Sequence, residues 1–179
     1  INSATLDRLD TLDLVIQNNT GVIVTAAGAE GMPQDAKERV DNVNKVIEAA
    51  LRKGISLEDM YVDCIVFPIS VSSENAIHYL DSVREIRKRY GEQIHITGGL
   101  SNVSFGLPAR KLINDTFIHL SLDAGINSGI IDPIQNKIER VFQLDTNSTP
   151  VQLARDMLLG KDEFCVNFIQ AWRDGNLEY

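Results

Sequence analysis

Four places in this 179-residue chain set a polar side chain within or just after an apolar run. They are Asn2 in INS, Asp63 in YVDCIVFP, Ser101-Asn102 after ITGGL, and Asp132 in IIDP. Asp63 is the most constrained. Burying a carboxylate bare is costly, so its oxygens must find donors. Those donors are either loop amides or the adjacent NH and NH₂ of an amino-heterocycle, which match the two oxygens of one carboxylate. Asn2 and Asn102 each carry a donor and an acceptor on one amide, which suits a neutral heterocycle and equally suits a turn. Asp132 precedes Pro133 and reads as the start of an Asp-Pro turn.

The remaining reactive side chains form no constellation. His78, His95 and His119 are far apart, and His95 alternates with apolar neighbours, as a packed or hydrogen-bonded strand histidine does. Cys64 and Cys165 make no CxxC or Cys/His pattern, which argues against a disulfide framework or a zinc site and fits a reducing cytoplasm. Ser101 and Ser104 lack a GxSxG setting, and GGL is not GxGxxG, so neither a hydrolase nucleophile nor a dinucleotide loop is read here. No metal is expected on this chain.

Positioning these residues requires alternating strands and helices. Thr20 to Gly28, Met60 to Phe67, Gln93 to Gly99 and Ser128 to Pro133 read as strands, and INS as the tail of another. Helices are expected between them: one on Leu6, Leu9, Leu12 and Ile16, one over Asp35 to Arg52 closed by Gly54, one from about Ser73, and one on Leu112, Ile113, Phe117 and Leu120 ending at Gly125. Thr149-Pro150 caps a helix through Leu159, and Phe164, Phe168 and Trp172 mark the apolar face of a last one. Such alternation implies right-handed βαβ units and a parallel sheet covered by helices. An open doubly wound sheet and a (β/α)8 barrel both satisfy it, and a complete barrel takes about 250 residues. Ligands bind at the carboxyl ends of the strands in either architecture.

The chain is 44% hydrophobic and 23% charged, as expected of one globular domain with a core. Lys plus Arg is 17 and Asp plus Glu is 25, a net charge of −8, which disfavours nucleic-acid phosphate. The one dense basic stretch, RKRY (Arg87 to Tyr90), closes a helix, where cations favour the dipole, and is read as a solvated face. No apolar run approaches the roughly 20 residues of a membrane span.

INS, YVDCIVFP and GGLSNVSFGLPARKLIN (Gly98 to Asn114), in this order and spacing, resemble the pterin-binding methyltetrahydrofolate methyltransferases. That family includes the methyltetrahydrofolate:corrinoid/iron-sulfur protein methyltransferase and the folate domain of cobalamin-dependent methionine synthase. EGMPQDAKERV (Glu30 to Val40) and AGINSGIIDP (Ala124 to Pro133) fit the same pattern. The resemblance implies an α/β chain that is the later part, about strands 4 to 8, of a TIM barrel. Residues 1–179 are then one pterin-binding domain, with the first three βα units and the acidic pterin ligand on the strand before INS absent. It also implies that methyltetrahydrofolate gives its methyl group to cob(I)alamin on a partner corrinoid protein, or that tetrahydrofolate receives it in the reverse reaction.

Carried over by position, Asp63 and Asn2 hydrogen-bond the pterin ring, and Asn102 reaches the nitrogen that bears the methyl and assists its departure. Arg110, in the PAR segment, is grouped with the pterin-binding residues as the arginine supporting this loop. Gly98 and Gly99 are expected to let backbone and ring approach, and Pro108 to set the next helix. A homodimer in the cytoplasm, bound to neither nucleic acid nor membrane, is the expected assembly. Two other readings keep a pterin site: a non-catalytic folate-binding module that docks a corrinoid protein, and a dihydropteroate synthase-like enzyme. The latter needs a pyrophosphate site, for which only Arg110 and Lys111 follow the third strand. Gln135 to Ser148 exceeds a plain connector and receives no chemical role.

Overall fold

A computed structural model describes residues 1–179. Four strands and seven helices follow one another as β1 (Asn2–Ala4), α1 (Thr11–Asn18), β2 (Val22–Thr25), α2 (Ala36–Arg52), β3 (Met60–Asp63), α3 (Asn75–Tyr90), β4 (His95–Thr97), α4 (Arg110–Ala124), α5 (Ile138–Phe142), α6 (Thr149–Leu158) and α7 (Val166–Arg173). The strands form one parallel sheet in the order β1-β2-β3-β4. Each strand lies beside the next in sequence, as in a barrel wall; a doubly wound sheet instead reverses its order at a switch point. No helix is long and apolar enough to cross a membrane.

Burial along the strands alternates. Val22, Val24, Met60 and Val62 are buried, while Ile23, Thr25, Tyr61 and Asp63 on the opposite face are only partly covered or exposed. The expectation of a sheet covered by helices therefore holds for one face only: in this chain the period-2 pleat separates a dry face from an open one. On the open face, the paired residues Tyr61 and His95 stack at 4.5 Å with an interplanar angle of 17°.

The chain divides into two compact units, Ile1–Ile65 with Asp81–Gly98 and Ala124–Gly129, and Val66–Leu80 with Gly99–Asp123 and Ile130–Tyr179. The first holds the sheet and α2. Asp35 starts α2 by accepting the Glu38 N–H at 2.7 Å, and the helix buries Val40, Val43 and Ile47. Lys53 then ends it, and Gly54 leaves at a φ of +86°, a value suited to glycine. In the second unit, Tyr79 and Phe117 pack at 5.5 Å, and Ile113, Met157, Leu158 and Phe168 are buried.

Several expectations fail for local reasons. Ser128 to Pro133 is no strand but a single bridge, Gly99 to Ile130. The Asn127 and Ser128 N–H groups both donate to the Ile96 carbonyl, and the Asn127 side chain takes the Ile96 N–H at 3.0 Å, so an amide side chain replaces the ladder. The first helix begins at Thr11 and buries Leu12 and Val15, leaving Ile16 exposed. Ser148, not Thr149, is the N-cap of α6. Phe164 is 80% exposed and lies before α7, because buried Asp162 accepts the Asn167 and Phe168 N–H groups and fixes the helix start beyond it. Trp172 is also exposed, so Phe168 alone is buried from the expected aromatic face. Pro108 does not begin α4: Ala109 intervenes at a φ of +51°. Arg87 is no solvated residue. It donates from Nε to the Gly125 carbonyl at 2.9 Å and from an Nη to the Ile94 carbonyl at 2.9 Å.

Candidate functional site

Asp63 is the last residue of β3, where its carbonyl accepts the Ala26 N–H at 3.0 Å. The strand cannot continue, because Ile65 adopts a φ of +62°. That left-handed conformation costs an L-residue roughly 1–2 kcal/mol. It turns the Ile65 N–H back onto Asp63 Oδ1 at 2.8 Å. Asp63 Oδ2 accepts no hydrogen bond within the chain, and burial pushes the carboxyl above the usual aspartate range, with the Ile65 N–H partly opposing the shift. A partly desolvated carboxylate with accepting capacity to spare can hold two parallel donors from a ring. Beside it Cys64 is fully buried, and burial drives its thiol far above the range where a thiolate forms.

The loop after β2 is built as closely. Asn42 on α2 donates to the Ala26 carbonyl at 2.9 Å, and the Gly28 N–H donates to the Gly31 carbonyl at 2.9 Å. A Cβ on Gly28 would sit 3.0 Å from the Gly31 oxygen and 3.2 Å from the Asn42 amide, so a larger residue there would force the loop to shift.

Asn2 lies on the edge strand β1 and is exposed. Its register partner is Ile23, which pairs with Tyr61, two residues before Asp63. The sheet register therefore does not bring Asn2 and Asp63 to one row. Asn2 borders a cleft lined by Gly21, Val22, Ile23 and Tyr61.

Asn102 and Arg110 belong to the second unit. Asn102 sits in the 3-10 turn Leu100–Ser104, where its N–H donates to the Gly99 carbonyl and its carbonyl accepts the Phe105 N–H, both at 3.1 Å. Its side-chain amide is exposed and spends no hydrogen bond on the chain. Arg110 braces this turn: Nε donates to Ser104 Oγ at 3.0 Å and an Nη to the Ser101 carbonyl at 2.9 Å. Gly99 has a φ of −76°, and an added Cβ would meet the Asn102 amide at an ordinary 3.5 Å, so its backbone requires no glycine. The glycine this loop does require is Gly106, at a φ of +83°, where an added Cβ would lie 3.2 Å from Ser70 Oγ.

Asp132 behaves as its Asp-Pro context predicts, accepting the Ile134 and Gln135 N–H groups at 2.9 and 3.2 Å. His95 is hydrogen-bonded through Nδ1 to the Asn127 amide at 3.2 Å. No cluster of three His, Cys, Asp or Glu side chains is arranged to hold a metal. One residue at the β3 corner escaped the sequence reading. Arg39 on α2 is 0% exposed and donates from Nε to the Cys64 carbonyl at 3.1 Å. The available signal was its spacing: Arg39 shares a helical face with Val43, Val46, Ile47 and Ala50, all buried.

Comparison with known proteins places these features in context. The pattern of the family described as "Pterin binding enzyme" matches residues 1–132. The chain is 31% identical over 147 residues to a "Methylcorrinoid:tetrahydrofolate methyltransferase" of Eubacterium limosum, an alignment covering 82% of this chain and 50% of the relative. It is 29% identical over 128 residues to a "Methionine synthase" of Mycobacterium leprae (strain TN), covering 68% of this chain and 10% of that protein. A "Methionine synthase" of Mycobacterium tuberculosis (strain ATCC 25618 / H37Rv) is likewise 29% identical, over 68% of this chain and 11% of its own length. The chain thus spans half or less of each relative's length.

Proposed function

Because the chain belongs to the pterin-binding enzyme family, we propose that it moves a methyl group between methyltetrahydrofolate and a corrinoid on a partner protein. The observation that carries this reading is the Asp63 carboxylate, one oxygen tied to the Ile65 N–H and the other uncommitted at the carboxyl end of β3. In this reading β1 to β4 are later strands of a TIM barrel, whose ligands bind at that end. Asp63 accepts the ring NH and exocyclic NH₂ of the pterin, since even the engaged oxygen keeps a lone pair. Asn2 adds a ring contact from the edge strand, and Arg110 acts on the folate indirectly through the turn it braces.

Asn102 supplies assistance at the methyl-bearing nitrogen. A methyl on a tertiary amine is a poor electrophile, because the departing nitrogen would be an anion unless a proton or hydrogen bond reaches it. A neutral amide accepts from a protonated nitrogen and donates to a bare one, so it stabilises developing charge more than the ground state. A corrinoid supplies the methyl acceptor, or the donor in the reverse direction, and this chain's task is alignment. The methyltransferase relative's name pairs a methylcorrinoid with tetrahydrofolate, which supports this reading over a pteroate-forming one. Arg110 spends Nε on Ser104 and an Nη on Ser101, which fits a residue that braces the turn.

Mixing the protein with methyltetrahydrofolate and cob(I)alamin and following the cobalt spectrum tests the proposal. Conversion to methylcobalamin is expected; folate binding without conversion would leave a binding module in its place.

A further inference from the structure

We propose that Arg39 is a positioning residue that fixes the Asp63 carboxylate through a single peptide plane. This rests on the reading of Asp63 as the pterin-binding carboxylate. The Cys64 carbonyl and the Ile65 N–H are the two ends of one peptide group. Arg39 Nε donates to its oxygen at 3.1 Å, and its N–H donates to Asp63 Oδ1 at 2.8 Å. The plane is thus clamped from both sides, and rotating it breaks both bonds at once.

The plane needs that clamp. Ile65 is β-branched and held at a φ of +62°, which persists only where the surroundings over-determine it. Without the bond to Cys64, a rotation of the 64–65 peptide would relax Ile65 and carry its N–H away from Asp63. The carboxylate would then lose the donor that orients it.

A hydrophobic side chain would fill the Arg39 position on α2 more cheaply, because a buried cation carries a desolvation penalty. Burial does lower the guanidinium from its ordinary value, yet arginine starts so high that it remains charged. What the cation adds is polarisation: a charged donor on the carbonyl strengthens the donor at the other end of the same peptide, as in any hydrogen-bonded chain. Arg39 therefore acts on Asp63 without touching it, and leaves Oδ2 for the ring.

Two measurements on the full chain, with Arg39→Met and the milder Arg39→Lys, test this. The first needs no ligand. Amide hydrogen exchange at Ile65 should accelerate about tenfold in Arg39→Met, the loss of one hydrogen bond to a charged group, while the Val24 and Val62 amides keep their protection. The second is tetrahydrofolate affinity in a cycle with Asp63→Asn. Arg39→Met should weaken binding about tenfold in the natural background and less than twofold beside Asp63→Asn, and Arg39→Lys should recover part of the loss. Equal losses in both backgrounds, or exchange raised uniformly along β2 and β3, would overturn the relay and leave Arg39 a structural residue. If the natural chain binds no folate, the functional reading falls, while Ile65 exchange still decides whether Arg39 holds the corner.

Discussion

Arg87 and Gly125, 38 residues apart, meet as donor and acceptor: Arg87 Nε donates to the Gly125 carbonyl at 2.9 Å, and an added Cβ on Gly125 would lie 3.0 Å from Arg87 Cγ. Gly125 also has a φ of +114°, which side-chain-bearing residues rarely adopt. Arg87→Ala strips donors from the Gly125 and Ile94 carbonyls and should cost about 2–3 kcal/mol, read from urea unfolding. Arg87→Lys should recover only part, since one ammonium cannot reproduce a fork of donors. Gly125→Ala should be destabilising by itself and less so beside Arg87→Ala, where the crowding atom is gone. Strict additivity would show that the two are not coupled.

The long segment from Gln135 to Ser148 is anchored through Asp115. This fully buried carboxylate accepts Asn136 Nδ2 at 2.7 Å on Oδ1, and Arg140 Nε at 2.6 Å and the Tyr179 hydroxyl at 3.1 Å on Oδ2. Burial, with Asp115 adding to it, pushes the Tyr179 phenol up to about 12. Asp115→Ala removes the carboxylate partner of the Arg140 ion pair and the Asn136 acceptor and should cost about 3 kcal/mol, whereas Tyr179→Phe removes one half-exposed bond and should cost about 1 kcal/mol or less. Denaturant midpoints for the pair decide; similar small losses would deny the segment this anchor. The anchor ties the segment to α4.

Asp63 should couple pH to stability in the opposite sense to a salt-bridged aspartate. Its folded-state value is raised by burial, so the native state holds the proton more tightly than the unfolded chain. That contribution is fully present below the ordinary value of about 3.9 and is lost as pH rises through the raised one. At neutral pH the ionised group is a cost, and Asp63→Asn should be at least as stable as the natural protein, with the downward step on leaving acid removed. Folate affinity should move the other way, falling about 10- to 100-fold, as for lost hydrogen bonds to a charged acceptor. Urea midpoints across pH 4 to 8 and a folate titration separate the two; an unstable, tight-binding Asn variant would contradict both parts.

Asn102→Ala should slow methyl transfer about 100-fold, the scale of a lost hydrogen bond to developing charge, while folate affinity changes only a few-fold. The turn that carries Asn102 is held by backbone hydrogen bonds and by Arg110, so the substitution should leave the fold intact. Comparing single-turnover rates with equilibrium binding makes the distinction, and equal losses in both would reduce Asn102 to a ligand contact.

Much of the frame follows from the sequence. Short apolar runs locate β2 to β4, helical spacing locates α2 to α4, and the order of INS, YVDCIVFP and GGLSNVS marks the family, because these patterns act over a few residues at a time. The decisions at the ends of elements were not legible. SGIIDP has strand composition, yet the Asn127 amide occupies the edge of β4 that it would have joined. Phe164 has helical spacing with Phe168, yet Asp162 starts the helix after it.

Charge was the least legible property. Lys88 and Arg87 are neighbours in one basic run, but Lys88 is solvated while Arg87 binds backbone carbonyls. In sequence Arg39 is one charge among several on α2, and only the packing of α2 against the end of β3 makes it a buried donor to Cys64. Sequence determined which residues are apolar, where chains can turn and which family the motifs belong to. Tertiary structure alone decided which cations leave water, because that depends on unpaired carbonyls supplied by residues 25 to 38 positions away.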